Sequence, residues 1–318
     1  MRLPASLQAG ISKLSEGVER DTLRKAAERL TVVYRGHEAP KPFSSDAERI
    51  AYLVVRMPAT FMAVNAAIAS TMESMAGWIP RSMLDLGSGP GTAMWAVADV
   101  LPSIESFEAV ERESGLIEMG RRLAGDAFSA TWTSADLRSW SPERRYEIVV
   151  ASYSVGELGQ SDRERLIKRA WEVCDGVLMV VEPGTPKGFG AIAEIRDQLI
   201  GLGAHLAAPC PHRLACPMRE AGDWCHFAAR VERTSEHRRL KQAELGYEDE
   251  KFSYVAASRI QPAPALARIV RHPLRHSGHS KLQLCTPEGL QQVTITKSQR
   301  EKYRAVKRAE WGSAWNWD

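Results

Sequence analysis

A chain of 318 residues, 44% hydrophobic and 25% charged, has an ordinary globular balance that excludes wholesale disorder, and its length suits one large domain with attachments. No apolar run approaches the ~20 residues that cross a bilayer, and Met1–Arg20 lacks the apolar stretch of a secretory signal, so neither membrane insertion nor export is expected. Forty-two Lys/Arg against 39 Asp/Glu leave a net charge of only +3, but residues 230–318 hold 17 basic and 10 acidic side chains, a basic segment on a mildly acidic body.

Residues 1–80 read as an N-terminal helical region. Leu23, Ala26, Ala27 and Leu30 fall at helical spacing, as do Ala47, Ile50, Ala51, Leu53 and Val54. Between them, Pro40 and Pro42 break any helix across His37–Phe43. Arg56-Met-Pro-Ala-Thr-Phe61 leads into a further helix through Ala66 to Met75, and the whole segment is expected to cap the next domain.

From residue 81 to residue 259 the rhythm becomes strand–helix–strand. Met83-Leu84, Phe107–Val110, Glu147–Ala151 and Val177–Val181 are short apolar runs separated by helical stretches such as Arg163–Val173 and Gly190–Leu202. Such alternation predicts an α/β fold built on a doubly wound parallel sheet. After a cysteine-bearing insert at 203–227, two more strand candidates, Cys225–Val231 and Lys251–Ser258, flank a charged helix around Arg238–Leu245 and would close the sheet as an antiparallel pair. Residues 260–318 read as a small basic β unit, with Leu282–Leu284 and Val293–Thr296 as its strands. Lys297–Asp318, carrying Trp311, Trp315 and Trp317, reads as a tail or docking helix.

Asp85-Leu-Gly-Ser-Gly-Pro-Gly91 follows a strand and precedes the helical run Thr92–Val100. Glycines there let the chain turn tightly and let a ligand approach the backbone in front of a helix N-terminus. Thr92 replaces the last small residue of the nicotinamide fingerprint, and no Lys-Ser/Thr follows, so the loop fits neither that cofactor nor a phosphate grip. It fits S-adenosylmethionine (SAM). Asp85 would fix the loop or meet the cationic methionine part, Glu111 at the next strand end would accept from the ribose hydroxyls, and Asp136 would contact the adenine amino group. Gly87, Ser88, Gly89, Gly91, Leu137 and Ser152 complete the expected cofactor set.

Five cysteines without a signal argue for a reducing compartment rather than a disulfide framework. Cys174 reads as packing. Cys210, Cys216 and Cys225 lie in the Pro/Gly-punctuated insert, and Cys285 in the small β unit. Four thiolates can hold zinc or an iron–sulfur cluster, and unligated thiols are the third possibility; no paired C-x2-C knuckle is present, while His212 and His226 keep zinc open.

These stretches make a family visible. Arg56-Met-Pro-Ala-Thr60, the Asp85–Gly91 loop, Val181-Glu-Pro-Gly-Thr-Pro-Lys-Gly-Phe189, Cys210-Pro-His212, Trp224-Cys-His-Phe227, Gly246–Tyr254 and Leu284-Cys-Thr-Pro-Glu-Gly289 resemble the methyltransferase-like family of the mitochondrial small ribosomal subunit, which has bacterial members. The resemblance implies a class I SAM-dependent methyltransferase fold and a [4Fe–4S] cluster on Cys210, Cys216, Cys225 and Cys285. It also implies association with the small ribosomal subunit and its rRNA during assembly, in the bacterial cytoplasm or, for a eukaryotic source, the mitochondrial matrix. A monomer is expected when free.

Whether methyl transfer occurs is less legible. After the fourth strand the chain reads Ala151-Ser-Tyr-Ser-Val-Gly-Glu-Leu158, without the Asp/Asn-Pro-Pro-aromatic loop of many nucleobase methyltransferases, and the cysteines are taken by the proposed cluster; Tyr153, Ser154 and Glu157 there could position a base or accept a proton, or serve as packing and a helix cap. Two readings result: an rRNA methyltransferase, or an assembly factor that binds rRNA and keeps the SAM site without catalysis. The residues expected to meet RNA are Arg268, Arg271, Arg275, Lys281, Lys297, Arg300, Lys302, Arg304, Lys307 and Arg308, with Trp311 and Trp315 as stacking platforms.

Overall fold

The computed structural model describes residues 2–35, 43–241 and 244–317, so most of the proline-broken segment His37–Phe43 lies outside the described residues. Four helices open the chain: α1 (Ala5–Ser15), α2 (Arg20–Arg35), α3 (Asp46–Val55) and α4 (Met57–Ser74). Ser45 starts α3 by accepting from the Glu48 N–H, and Pro58 sits in the first turn of α4, where its missing donor costs nothing. α4 is apolar almost all round because it is buried between α5 and β8, with Met57, Phe61, Val64 and Ile68 inside. No single helix among the described residues is long and apolar enough to cross a membrane, and the α3–α4 pair that would qualify together is bent by 45°.

The main sheet runs β3-β2-β1-β4-β5-β8-β6, with β7 also paired to β8. β1 (Ser82–Leu86), β2 (Ser106–Glu111), β3 (Ala130–Ser134), β4 (Tyr146–Ser152) and β5 (Cys174–Pro183) are parallel, joined by α5 (Thr92–Val100), α6 (Ser114–Ala124) and α7 (Gln160–Glu172). β1, β4 and β5 read as near-continuous apolar runs because helices cover both faces of a parallel sheet. α8 (Pro186–Gly201) leads to β6 (His205–Ala208), then β7 (Phe227–Glu232), α10 (Ser235–Leu240) and the long β8 (Tyr247–Ser258), which is antiparallel to β5, β6 and β7. The expected antiparallel pair is therefore present, but β8 lies inside the sheet, not at its edge. β6 is a strand inside the stretch read as insert; at four residues it is too short for its alternation to register. α9 (Pro217–Glu220) is one turn between the cysteines. The charged helix ends at Leu240, and residues 242–243 of its expected span lie outside the described residues.

A second sheet follows, order β10-β11-β9-β13 with β12 on β11: β9 (Ala267–Ile269), β10 (Leu274–Arg275), β11 (His279–Thr286), β12 (Gly289–Thr296) and β13 (Ala314–Trp315). α11 (Arg300–Arg308) packs Val306 into it. Of the two alternatives for Lys297–Asp318, the helix is present as α11, and the residues after it pair as β13 with β9. Trp315, 3% exposed, fills the small core instead of offering the expected stacking face. Arg268, 4% exposed, does not meet RNA: it donates to the Pro209 carbonyl (2.8 Å), the Gly312 carbonyl (3.0 Å) and Ser70 Oγ (3.1 Å), stapling the two sheets and α4 together. Arg271, likewise expected at RNA, is ion-paired with Asp223 of the insert.

Candidate functional site

The loop after β1 is shaped by three glycines in the left-handed region, Gly87 (φ 71°), Gly89 (φ 53°) and Gly91 (φ 81°). Gly87 is also where the chain comes closest to the β4 loop: a Cβ there would lie 2.5 Å from Ser154 Cβ. Ser154 is held by its hydroxyl donating to the Leu86 carbonyl at 2.9 Å. The Gly87 and Ser88 N–H groups donate to the Val110 carbonyl, and Gly91 opens α5. Above the loop is a cavity of ≈ 1040 Å³. Gly87, Ser88, Gly89, Glu111, Asp136, Leu137 and Ser152 line it, so it gathers seven of the nine residues expected to hold the cofactor. Gly91 and Asp85 lie outside the lining: Gly91 packs against Met94 and Trp132, and Asp85 is buried beneath the loop.

Asp85 is fully buried, and among the described residues neither carboxylate oxygen has a hydrogen-bond partner. Burial, reinforced by Glu111, raises its pKa to about 8; the Met94 N–H offsets part of this without reaching hydrogen-bond geometry. A bridging water or a cation reaching it through the loop would satisfy a buried carboxyl of this kind. Glu111 accepts from the N–H groups of Gly89 (2.9 Å), Arg112 (2.8 Å) and Glu113 (2.9 Å), which fixes its carboxylate at the cavity edge with lone pairs to spare. Asp136 is gripped by the Arg138 side chain (2.5 and 2.9 Å) and N–H (2.8 Å), which holds it well below the usual carboxylate range and keeps it ionised.

Of the other wall, the sequence marks only Tyr153, Ser154 and Glu157 as candidates for positioning a base. Tyr52 of α3, Thr60 of α4 and Arg56 between the two helices also line the cavity, and Arg49 fastens this cap to α6 through Glu113 (Nη2–Oε1 2.6 Å). At the far end of β4, Tyr153 has φ 54°, the one positive φ on a non-glycine residue among the described residues. Glu182, 3% exposed, accepts from the Val155 and Gly156 N–H groups (3.1 and 3.0 Å); burial raises its pKa to about 7. It is the internal clamp of the β4 loop. The Arg56 stretch and Gly246–Tyr254 were visible in the sequence as motifs, but without the fold they had no place in the site.

Cys210, Cys216, Cys225 and Cys285, three from the insert and one from β11, line one small cavity of ≈ 40 Å³; all are free thiols. Arg196 and Arg268, both buried, stand in the same lining. His212 Nε2 is 3.6 Å from Cys285 Sγ. Burial and the neighbouring thiols push Cys225 well above the ordinary thiol range and Cys285 to about 12. Among the described residues no group of three or more His, Cys, Asp or Glu side chains is arranged to hold a metal ion. Four thiols facing two buried guanidiniums nevertheless fit a polyanionic thiolate centre, whose charge has to be matched when it is taken out of water. Cys174 is buried in the main core, away from this cavity.

A parallel sheet of order 3-2-1-4-5 completed by an antiparallel strand, with a glycine loop after β1 and acids at the next two strand ends, defines a class I SAM-dependent methyltransferase fold. Similar solved structures include a putative RNA methyltransferase from Pyrococcus horikoshii (12% identity, 75% of this chain and 96% of that one, TM-score 0.41). The SAM-bound magnesium protoporphyrin IX methyltransferase of Synechocystis PCC 6803 is another (11% identity, 77% and 99%, TM-score 0.43). The model of the mitochondrial small ribosomal subunit Rsm22 family matches residues 46–316, and the chain belongs to that family. Its relatives include the mitochondrial ribosome assembly protein METTL17 of Homo sapiens, 25% identical over 285 residues, and the mitochondrial Rsm22-cox11 tandem protein 2 of Schizosaccharomyces pombe, 21% identical over 370 residues. The matches cover 83% and 98% of this chain but only 61% and 48% of those proteins, so the chain spans about half to three fifths of their length.

Proposed function

We propose that the protein is a SAM-binding assembly factor of the small ribosomal subunit, acting on or binding its rRNA, and that Cys210, Cys216, Cys225 and Cys285 hold a [4Fe–4S] cluster. The observation that carries the cofactor reading is Asp85: a buried, unpartnered carboxyl directly beneath a glycine loop whose residues line the cleft. Glu111 and Asp136, which line the cleft at the strand ends, support the reading as acceptors for the ribose hydroxyls and the adenine amino group. When bound, SAM supplies an electrophilic methyl group. The chain's own contribution is to hold and desolvate it, and the β4 loop shows no Asp/Asn-Pro-Pro element to present an acceptor nitrogen.

The cluster reading is supported by four thiols and two buried arginines in the lining of one cavity. Such a centre braces the insert against the small sheet, making metal binding part of the folding free energy at this end of the protein. The relatives' names support the ribosomal role and a mitochondrial setting for a eukaryotic source; in a bacterium the same work falls in the cytoplasm.

Calorimetry with S-adenosylhomocysteine tests the cofactor site directly: binding by the wild type and its loss in Asp85→Ala are expected. A folded wild type that binds neither this ligand nor SAM removes the reading. Labelled methyl transfer to purified small-subunit precursors then separates enzyme from assembly factor, because assembly that needs the protein but incorporates no label leaves only the second.

A further inference from the structure

The cleft has more wall than the glycine loop and the strand ends supply. At ≈ 1040 Å³ it stands at the top of the ~300–1,000 Å³ range that holds a single drug-sized ligand. The glycine-loop side accounts for one occupant. The opposite side, walled by Phe43, Tyr52, Arg56 and Tyr153, accounts for none.

This wall is built with care. Tyr153 adopts φ 54°, an uncommon conformation for a bulky residue, and such backbone outliers cluster at functional sites. Its N–H donates to the Val181 carbonyl at 2.8 Å, and its hydroxyl donates to Glu250 Oε1 at 3.0 Å. Arg56 Nη2 lies 3.6 Å from the same oxygen. Arg56 and Glu250 are only 19% and 15% exposed, yet Glu250 does not itself line the cavity: it sits behind the two side chains that do. Three distant segments, the start of α4, the end of β4 and the middle of β8, thus converge to set one phenol ring and one guanidinium in the cavity wall. Phe43 and Tyr52 meet edge to face beside them, ring centroids 5.6 Å apart.

We infer that this outer chamber is a subsite for an unpaired RNA base, received against Tyr153 and Arg56, with Glu250 as the positioning residue that fixes both. The inference rests on reading the inner chamber as the SAM site. Aromatic rings and guanidinium planes are the surfaces on which single-stranded bases stack.

The test uses the full chain saturated with S-adenosylhomocysteine and titrated, by saturation-transfer NMR, with cytidine, uridine and guanosine. Adenosine is left out because it competes for the inner chamber. Ribose is the base-free control, and N-acetylhistidine amide stands for a protein side chain. At least one nucleoside is expected to bind while ribose and the histidine amide do not. Tyr153→Ala should weaken that nucleoside on the order of tenfold, the range of base–aromatic stacking, and Tyr153→Phe should keep it within about threefold. Glu250→Ala should weaken it several-fold, and Glu250→Gln, which can still accept from the phenol, should lose less. Ribose binding as well as the nucleosides, the histidine amide binding in their place, Tyr153→Ala binding like wild type, or no nucleoside binding by a protein that does bind S-adenosylhomocysteine would each overturn the subsite. If S-adenosylhomocysteine itself fails to bind, the SAM reading falls, and the same nucleoside titration on the cofactor-free chain still decides the outer chamber.

Discussion

Replacing Asp85 by Asn should stabilise the unliganded protein while weakening its hold on SAM. The folded carboxyl titrates at about 8 against an ordinary 3.8, because burial, and then Glu111, opposes its charge. Between these two values the unfolded chain is ionised at this position and the folded chain is not. The unfolded state therefore binds fewer protons, and stability falls as pH rises through the window, then levels off above about 8. At 1.36 kcal/mol per pH unit, the loss accumulated by pH 7 is roughly 4 kcal/mol. Asp85→Asn removes the ionisation and escapes that loss. Urea unfolding of both proteins from pH 4 to 9 should show equal stability near pH 4, a growing advantage for the variant up to about pH 8, and a constant gap beyond. All other titrating groups are shared and cancel in the difference. SAM binding adds a second readout, since a cationic ligand favours the ionised carboxylate: wild-type binding at pH 7 should release a proton, seen as a buffer-dependent calorimetric heat, and Asp85→Asn should bind more weakly and release none from this position. A stability gap that does not change with pH refutes the argument.

Three further outcomes follow from the same geometry. Gly87→Ala places a methyl 2.5 Å from Ser154 Cβ in a left-handed conformation, which costs about 1–2 kcal/mol before the clash, so S-adenosylhomocysteine affinity should drop at least tenfold with little change in helix content by circular dichroism. Protein purified without oxygen should carry iron and sulfide; Cys225→Ser or chelation should remove both, lower the melting temperature by several degrees and open the insert to protease, whereas Cys174→Ser should keep the metal. On α11, Arg304→Glu with Lys307→Glu reverses two exposed charges, and RNA binding should weaken with a salt slope shallower by roughly 0.7–0.9 per lost phosphate contact; an unchanged slope would show that α11 does not touch RNA.

Much of the cofactor half was legible because its signals are local. The Asp85–Gly91 loop and Glu111 each sit at a strand end that an apolar run announces, Asp136 follows the polar β3 that no such run marks, and the parallel direction of the strands follows from their alternation with helices. What escaped was set by long-range packing. Arg268 and Trp315 carry the side chains of an RNA contact but spend them inside the protein, one on three hydrogen bonds to distant segments and the other in the small core. Composition cannot distinguish a buried arginine from a solvated one. The same holds for Arg56, Tyr153 and Glu250, whose meeting depends on β8 lying next to β5 in antiparallel register.

That register also explains why the cleft and the thiol cavity lie in one molecule rather than in two loosely joined units. β8 passes from Glu250, behind the cleft wall, to Ser253, whose hydroxyl donates to the Cys225 carbonyl at 2.7 Å, and to Tyr254 in the lining of the thiol cavity. On the neighbouring strand end, the Gly184 N–H donates to the Lys251 carbonyl at 2.8 Å, and the Trp224 indole donates to the Gly184 carbonyl at 3.1 Å. Two residues earlier, Glu182 holds the β4 loop that carries Tyr153 and Ser154. The Trp224-Cys-His stretch is thus fastened to the same strands that shape the cleft. A gap of a few residues along β8 is short enough that ordering the thiol insert and fixing the cleft wall draw on the same backbone hydrogen bonds, which is why an insert with little core of its own can still be placed accurately against the sheet.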